Sequence, residues 1–172
     1  IQPLMKKSIP VWIKNTFQPE DEGTLVQSTH RNGDIITGIS SIGKLALLLL
    51  EGSGMVGIPG FSKRLFEALA THNINVILIT QASSEHSICV GVDEALAEKA
   101  KTIVDQAFSF EIEKEKVNPL SIERNLSIVA LVGDKMKSHP GISGRMFSTL
   151  GRNGVNVRAI AQGSSERNIS AV

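Results

Sequence analysis

An internal repeat constrains the fold of this chain more than any other feature. Residues 45–91 align with residues 126–172 at a constant offset of 81 positions and without a gap. Chance would give roughly one identity in fifteen to twenty positions at ordinary composition, and identities here are far more frequent. They include Gly52/Gly133, Met55/Met136, Pro59/Pro140, Gly60/Gly141, Arg64/Arg145, Asn75/Asn156, Gln81/Gln162 and Glu85/Glu166. One structural unit is therefore present twice.

Each copy has the pattern of a strand, a helix and two further strands. In the first copy, the apolar run 45–50 has the length of a buried strand. After a loop with Gly and Pro, the apolar residues Phe61, Leu65, Phe66 and Leu69 recur at helical spacing. Strands are predicted at 76–80 and 86–92, on either side of a turn at 83–85. The second copy repeats these elements 81 residues later.

The first copy continues beyond the repeat. Asp93 is a predicted cap of a helix with Leu96, Ala100 and Val104 on its apolar face. Residues 108–114 then alternate apolar and polar side chains, which predicts a strand. The complete unit is βαββαβ, the ferredoxin-like arrangement.

The second copy stops at Val172, after its third strand. We therefore predict an α+β fold with two ferredoxin-like domains, the second incomplete at its C-terminus. The predicted segments are 1–34, outside the repeat; 35–42, a strand completing the second domain; 43–117, the first domain; and 118–172, the second. Within the leading segment, a strand is predicted at 11–13, a polar turn at 18–23 and a loop at 29–34.

Composition argues against several classes of function. The net charge is +1 with no densely basic stretch, and aromatic residues make up 4%, so we expect no nucleic-acid partner. The longest apolar run is too short to cross a membrane, and residues 1–7 lack the layout of a signal peptide. The single Cys89 excludes a disulfide framework within the chain, and a cytoplasmic location is the simplest interpretation.

Catalytic and metal-binding patterns do not emerge from the sequence. The histidines His30, His72, His86 and His139 are scattered and lack the spacing of metal ligands. The glycine-rich loops do not close on a Lys-Ser/Thr pair, as a phosphate-binding loop would. We therefore predict no catalytic residue, metal site or cofactor in this chain.

A binding role is better supported, beginning with the loop before each helix. Helix N-termini offer unpaired N–H groups, to which a small carboxylate could bind at residues 58–61 and 139–142. Met55 and Met136 would give each pocket an apolar wall. The alternative is that Gly and Pro in these loops only turn the chain.

Glutamine at the end of each second strand is the sharper signal. A side-chain amide both donates and accepts hydrogen bonds, which suits an amino-acid ligand. One such glutamine would be an ordinary polar residue. Gln81 and Gln162 occupy the same repeat position, each six residues after Asn75 or Asn156, and this recurrence favours binding.

These residues also carry a family resemblance. Residues 79–85 (ITQASSE) and 161–166 (AQGSSE) resemble the effector-binding strands of aspartokinase ACT domains. Residues 13–17 and 23–25 are similar to the end of the aspartokinase catalytic domain, which assigns 1–34 to that end and a linker. Residues 38–40 resemble the entry to the regulatory part. The resemblance covers the whole chain and is closest to threonine-sensitive bifunctional aspartokinase–homoserine dehydrogenases.

The resemblance implies that this chain is the regulatory part of an aspartokinase without the catalytic domain. Such kinases phosphorylate aspartate with ATP and Mg, in the pathway to lysine, threonine and methionine. Their lysine-Phe-Gly-Gly motif is absent here, which implies an inactive chain whose parent holds ATP and Mg. The first ACT unit of the family is commonly inserted into the second, which fits a completing strand at 35–42.

In the family, ACT domains pair side by side, and the end-product amino acid binds at their interfaces. A small-molecule effector and a homodimer are therefore the expected partners. The residues expected to bind the effector are Met55, Ile58, Gly60, Asn75, Ile79, Gln81, Met136, Gly141, Asn156, Ile160 and Gln162.

Three hypotheses remain at this point. The first is an allosteric module that binds threonine, in preference to lysine, for feedback inhibition. The second is an active enzyme of ferredoxin-like fold, and the third a structural dimerisation module with vestigial pockets. The sequence leaves open which amino acid binds and whether a dehydrogenase domain follows.

Overall fold

A computed structural model describes residues 1–27, 34–81 and 85–172, which form two compact units, Ile1–Asp34 and Ile35–Val172. The first unit has helix α1 (Gln2–Lys6) and an antiparallel pair of strands, β1 (Val11–Ile13) and β2 (Thr24–Val26). The strand predicted at 11–13 is confirmed. Residues 28–33, with most of the loop predicted at 29–34, lie outside the described residues, as do 82–84 of the predicted turn.

The second unit contains both copies of the repeat. The elements of the first copy are β3 (Gly38–Glu51), α2 (Phe61–Thr71), β4 (Leu78–Gln81), β5 (Ser87–Asp93), α3 (Ala97–Ala107) and α4 (Ser109–Glu113). Those that follow are β6 (Ser121–Val132), α5 (Ile142–Arg152), β7 (Ile160–Gln162) and β8 (Asn168–Ala171). The carboxylate of Asp93 accepts a hydrogen bond from the Ala95 N–H, which confirms the predicted cap ahead of α3.

All these strands form one antiparallel sheet in the order β4-β5-β3-β6-β8-β7. The long strands β3 and β6 lie at its centre and serve both copies. The second half of β3 pairs with the first half of β6, with Leu45 opposite Leu126 and Leu49 opposite Ser121. The first half of β3 pairs with the second half of β6, from Gly38–Val132 to Ile42–Ile128.

Each copy therefore obtains its fourth strand from the central strand of the other. The strand order is β4-β5-β3-β6 in the first copy and β7-β8-β6-β3 in the second, which confirms the predicted ferredoxin-like fold. Residues 38–42 lie beside the first strand of the second copy, where the segment 35–42 was predicted. Lys44, with φ of +56°, marks a register shift between the two halves of β3.

The prediction of a strand at 108–114 is wrong, because this segment forms the short helix α4. Its alternating pattern arose from Phe108, Phe110 and Ile112, but Phe108 is fully buried and stacks on Phe61 with ring centroids 5.6 Å apart. Phe110 is 64% exposed. The first copy instead takes its fourth strand from the first half of β6, beyond the predicted boundary at 117/118.

Alternation along β3 explains why residues 45–50 are apolar at every position. Ala46, Leu48 and Leu50 lie in the core under α2 and α3, whereas Leu45 and Leu47 belong to a cluster with Leu78, Ile128, Ala159 and Val172. A strand buried on both faces has no place for polar residues. Each fully buried leucine contributes about 1.5–3 kcal/mol to stability. A third cluster, including Leu131, Met136 and Met146, lies under α5.

Candidate functional site

The loop before each long helix has the same geometry in both copies. Helix α2 begins at Phe61 and α5 at Ile142, each after a glycine in the left-handed region. The φ angles of these glycines, Gly60 and Gly141, are +104° and +89°, where a residue with a side chain would be strained. Glycine is required here for the entry into the helix, so the repeated identity has a backbone cause.

In the first copy this loop borders a cavity of about 320 Å³, which we name the loop cavity. Its lining comprises Met55, residues 57–62, Gln81, Glu85 and Ile88. Met55 is only 4% exposed and forms an apolar wall, whereas Ile58 is 53% exposed. Glu85 contributes the charged group of the described lining.

A larger groove of about 690 Å³ lies between the edge strands β4 and β7, and we name it the edge-strand groove. The first copy contributes residues 77–81, including Ile79 and Gln81, and the second contributes residues 160–163, including Ile160 and Gln162. The rest of the described lining is Ser40, Ile42, Ile128, Ala130, Asn168 and Ser170. Gln81 lines both spaces, so the groove and the loop cavity adjoin.

The groove suits a small zwitterion. Strands β4 and β7 each pair with one neighbour, and edge strands present unpaired backbone N–H and C=O groups. The amides of Gln81 and Gln162 add donors and acceptors, and the isoleucines Ile79 and Ile160, each about half exposed, add apolar surface. The described lining carries no charged side chain, so neutral dipoles would bind both charges of the ligand.

Several predicted site residues lie elsewhere. Met136 is buried in the core under α5. Gly141 lines a separate cavity of about 430 Å³ along α5, with Arg145 and Arg152. Asn75 and Asn156 are exposed ahead of β4 and β7, outside the described lining of the groove.

Sequence reasoning missed the floor of the groove. Ser40 and Ile42 come from the completing strand, and Asn168 and Ser170 come from alternate positions of β8. The predicted pairing of 35–42 with the second copy was the one signal that could have placed Ser40 there. Glu85 and Glu166 were also missed, although their identity in the repeat was visible.

Three groups in the first copy have shifted pKa values. The pKa of Arg64 is raised, chiefly by its hydrogen bond to Glu111. The pKa of Glu111 is lowered, chiefly by its hydrogen bonds from Arg64 at 2.5 and 3.0 Å. The pKa of the Cys89 thiol is raised, chiefly by burial and then by the negative charge of Glu123. A thiol with a raised pKa is a poor nucleophile at neutral pH.

The described residues show neither a grouped set of metal ligands nor a membrane-spanning helix. Across residues 1–27, 34–81 and 85–172, no three His, Cys, Asp or Glu side chains are grouped to hold a metal ion. In the same part of the chain, each helix is too short or too polar to span a bilayer.

Comparison with known proteins identifies the repeated unit. The sequence profile of the ACT domain matches residues 48–108 and 129–172. The bifunctional aspartokinase/homoserine dehydrogenase of Haemophilus influenzae is 41% identical over an alignment covering 100% of this chain and 21% of that protein. Bifunctional enzyme 1 of Zea mays chloroplasts is 40% identical over 100% of this chain and 19% of its own length. The chain thus spans about a fifth of these relatives.

Solved structures agree with this assignment. Aspartate kinase from Clostridium acetobutylicum superimposes with a TM-score of 0.82 at 27% identity, covering 99% of this chain and 39% of that one. E. coli aspartokinase III in complex with lysine and aspartate gives 0.74 at 27% identity, covering 99% and 36%. The chain belongs to the ACT domain family, and its two copies are ACT domains arranged like those of the aspartokinase regulatory region.

Proposed function

We propose that this chain senses an end-product amino acid for a parent aspartokinase and binds it in the edge-strand groove. The observation that carries the proposal is that Gln81 and Gln162, 81 residues apart, line the same groove. The E. coli relative solved with lysine and aspartate supports an amino acid as the ligand. The sequence predicted one pocket in each copy, whereas one groove that holds both glutamines makes a shared or adjoining site the simpler proposal.

Threonine is favoured over lysine by the character of the lining. The described lining offers amides and hydroxyls, from Gln81, Gln162, Ser40 and Ser170, which can hydrogen-bond the threonine hydroxyl. Lysine would bring a second ammonium group into a groove whose described lining contains no carboxylate. An unpaired charge is costly to desolvate, so the shorter, neutral side chain fits better.

The regulatory mechanism proposed for the parent enzyme is linkage. An effector that binds one arrangement of the paired ACT domains more tightly shifts the kinase towards that arrangement. The free energy of this shift cannot exceed the difference between the binding free energies of the effector for the two arrangements. The exposed edges of β4 and β7 support the proposal that two chains associate through their ACT domains. Phosphorylation of aspartate with ATP and Mg, the first step towards lysine, threonine and methionine, would belong to the parent. This chain alone would be inactive as a kinase, and its proposed location is the cytoplasm.

Titration calorimetry of the 172-residue chain with L-threonine and L-lysine tests the proposal. We expect threonine to bind with millimolar or tighter affinity, and lysine more weakly. A folded protein that takes up neither amino acid would refute the sensing function. A dimer indifferent to both would instead support the alternative, a structural dimerisation module with vestigial pockets.

The glutamines provide the residue-level test. Gln81→Ala and Gln162→Ala should each weaken threonine binding by about tenfold, since an amide in a partly dry groove contributes about one hydrogen bond to a charged group. Gln106→Ala on α3, outside the described lining of the groove, is the matched control. Unchanged affinity in both groove variants would remove the glutamines from the site.

A further inference from the structure

The two copies share a hydrogen bond that joins the loop before the long helix to the turn after the second strand. In the first copy the Glu85 carboxylate accepts from the Gly57 N–H at 3.0 Å. In the second, the Glu166 carboxylate accepts from the Ser138 N–H at 2.6 Å. Gly57 and Ser138 are repeat counterparts, as are the two glutamates, so the same link has formed twice.

Backbone geometry at both ends of the link is also repeated. Glu85 and Glu166 have φ of +56° and +54°, and Gly57 and Ser138 have +68° and +58°. For the three residues with side chains, the left-handed region is unfavourable and needs compensation from the surrounding structure. A hydrogen bond from a backbone amide to a carboxylate is charge-assisted and about twice as strong as a neutral one. The link thus stabilises an otherwise unfavourable conformation in both copies.

Among the residues that the structure describes, little else supports the loop that this link fixes in the first copy. Between the short turn Ser53–Met55 and the start of α2, Ile58 donates to the Met55 carbonyl at a long 3.3 Å. Ile58 itself is more than half exposed, so packing holds it weakly. Glu85, Gly57 and Gln81 all line the loop cavity, so the bond joins two residues of its wall.

We propose that Glu85 and Glu166 are positioning residues that hold the two helix-entry loops in shape, and that in the first copy, where the loop cavity adjoins the groove at Gln81, this shape favours effector binding. Glu85 acts on the ligand through Gly57. This inference rests on the proposed sensing function for its consequence, but the clamp itself is a property of the unliganded chain. Both glutamates end the segments that resemble effector-binding strands, and the hydrogen bonds give them a role that the sequence had not assigned.

Amide hydrogen exchange by NMR tests the clamp without any ligand. In Glu85→Ala, the Gly57 amide should exchange about tenfold faster than in the wild type, because one hydrogen bond to a charged group is lost. The Ser138 amide should keep its wild-type rate, which also verifies that the protein is folded. Glu166→Ala should give the reverse pattern. An unchanged Gly57 rate in Glu85→Ala would overturn the clamp.

Calorimetry with L-threonine then tests the consequence. Affinity should fall about tenfold in Glu85→Ala and less than about threefold in Glu85→Gln, whose amide oxygen still accepts the Gly57 hydrogen bond. Glu113→Ala, an exposed carboxylate at the end of α4, is the control and should bind normally. Recovery in Glu85→Gln separates positioning from a need for negative charge.

The failures of the two proposals are distinguishable. A wild-type chain that binds no threonine refutes the sensing function, and the amide exchange rates then decide the clamp alone. A wild-type chain that binds threonine, with accelerated Gly57 exchange but undiminished affinity in Glu85→Ala, refutes the positioning role.

Discussion

The two copies of the repeat have related loop, helix and strand sequences but differ in what covers the helix. In the first copy, α2 packs against α3, and α4 follows directly. In the second, α5 borders an open cavity lined by Arg145 and Arg152. Equivalent positions therefore have different environments. The local sequence sets the shape of each unit, whereas tertiary partners set how strongly each helix is held.

The arginines Arg64 and Arg145 show the contrast most clearly. Arg64 forms an ion pair with Glu111, donates to the Ala107 carbonyl at 2.7 Å and lies 4.4 Å from the Phe108 ring centroid. Each of these partners belongs to the end of α3 or to the segment around α4. Arg145 lines the open cavity along α5. An arginine at this repeat position thus connects α2 to the end of α3 and to α4 in the first copy, whereas in the second copy it borders an open cavity.

The largest difference is expected in the cores beneath these helices. Leu65 is fully buried under α2, and its counterpart Met146 is 7% exposed under α5. Leu65→Ala should lower the free energy of unfolding by about 3 kcal/mol and Met146→Ala by about 2 kcal/mol. Urea unfolding measures both. Equal losses would mean that α5 is covered as well as α2.

Chemical labelling extends the comparison to the sheet. Cys89 in β5 corresponds to Ser170 in β8, which lines the edge-strand groove. The raised pKa of Cys89 leaves less thiolate at a given pH, and the thiol packs against the apolar cluster, so alkylation by iodoacetamide should be slow. In a Cys89→Ser/Ser170→Cys variant, labelling should be about tenfold faster.

Threonine provides the control for this labelling experiment. Saturating threonine should slow the alkylation of the introduced cysteine, because the ligand would occupy the groove. It should leave Cys89 in the wild type unaffected. Protection at Cys89 instead would place the ligand on the first copy's side of the apolar cluster.

Much of the fold could be predicted from the sequence, and the part that could not be predicted has a physical cause. The duplication predicted the fold, and the helical spacing at Phe61 and Leu65 located α2. The alternation of Phe108 and Phe110 predicted a strand, but tertiary contacts of Phe108 selected a helix. Phe108 stacks on Phe61, which lies 47 positions earlier in the chain. A local sequence pattern cannot reveal such a distant contact.

The groove illustrates a second limit. Gln81 and Gln162 were identified separately, because each has a local sequence signature. Their convergence depends on the register shift near Lys44, which lets β3 pair with both halves of β6. A β-bulge changes register without changing composition. The two glutamines could therefore be predicted as binding residues, but their position in the same groove could not.

Removing the helix-fastening arginine should have a smaller effect than removing a core side chain. Arg64→Ala should cost about 1 kcal/mol, because its hydrogen bonds lie at a partly exposed site where solvent screens the ion pair. Arg145→Ala should cost less than about 0.5 kcal/mol, as expected for a surface substitution. Thermal unfolding at neutral pH measures both. A loss at Arg145 equal to that at Arg64 would reveal a partner covering α5 in solution.

The pH dependence of this ion pair should give the smallest effect. Because the pKa of Glu111 is lower in the folded than in the unfolded chain, its contribution to stability is complete above the unfolded value. That contribution should disappear as the pH falls below about 4.3 and through the lowered folded pKa. Glu111→Gln should therefore lose stability at pH 7 and approach the wild type as the pH falls through the lowered folded pKa. With Arg64 41% exposed, the neutral-pH difference should stay below about 1 kcal/mol. A gap between the two proteins that stays constant throughout the acid titration would assign the contribution of Glu111 to packing.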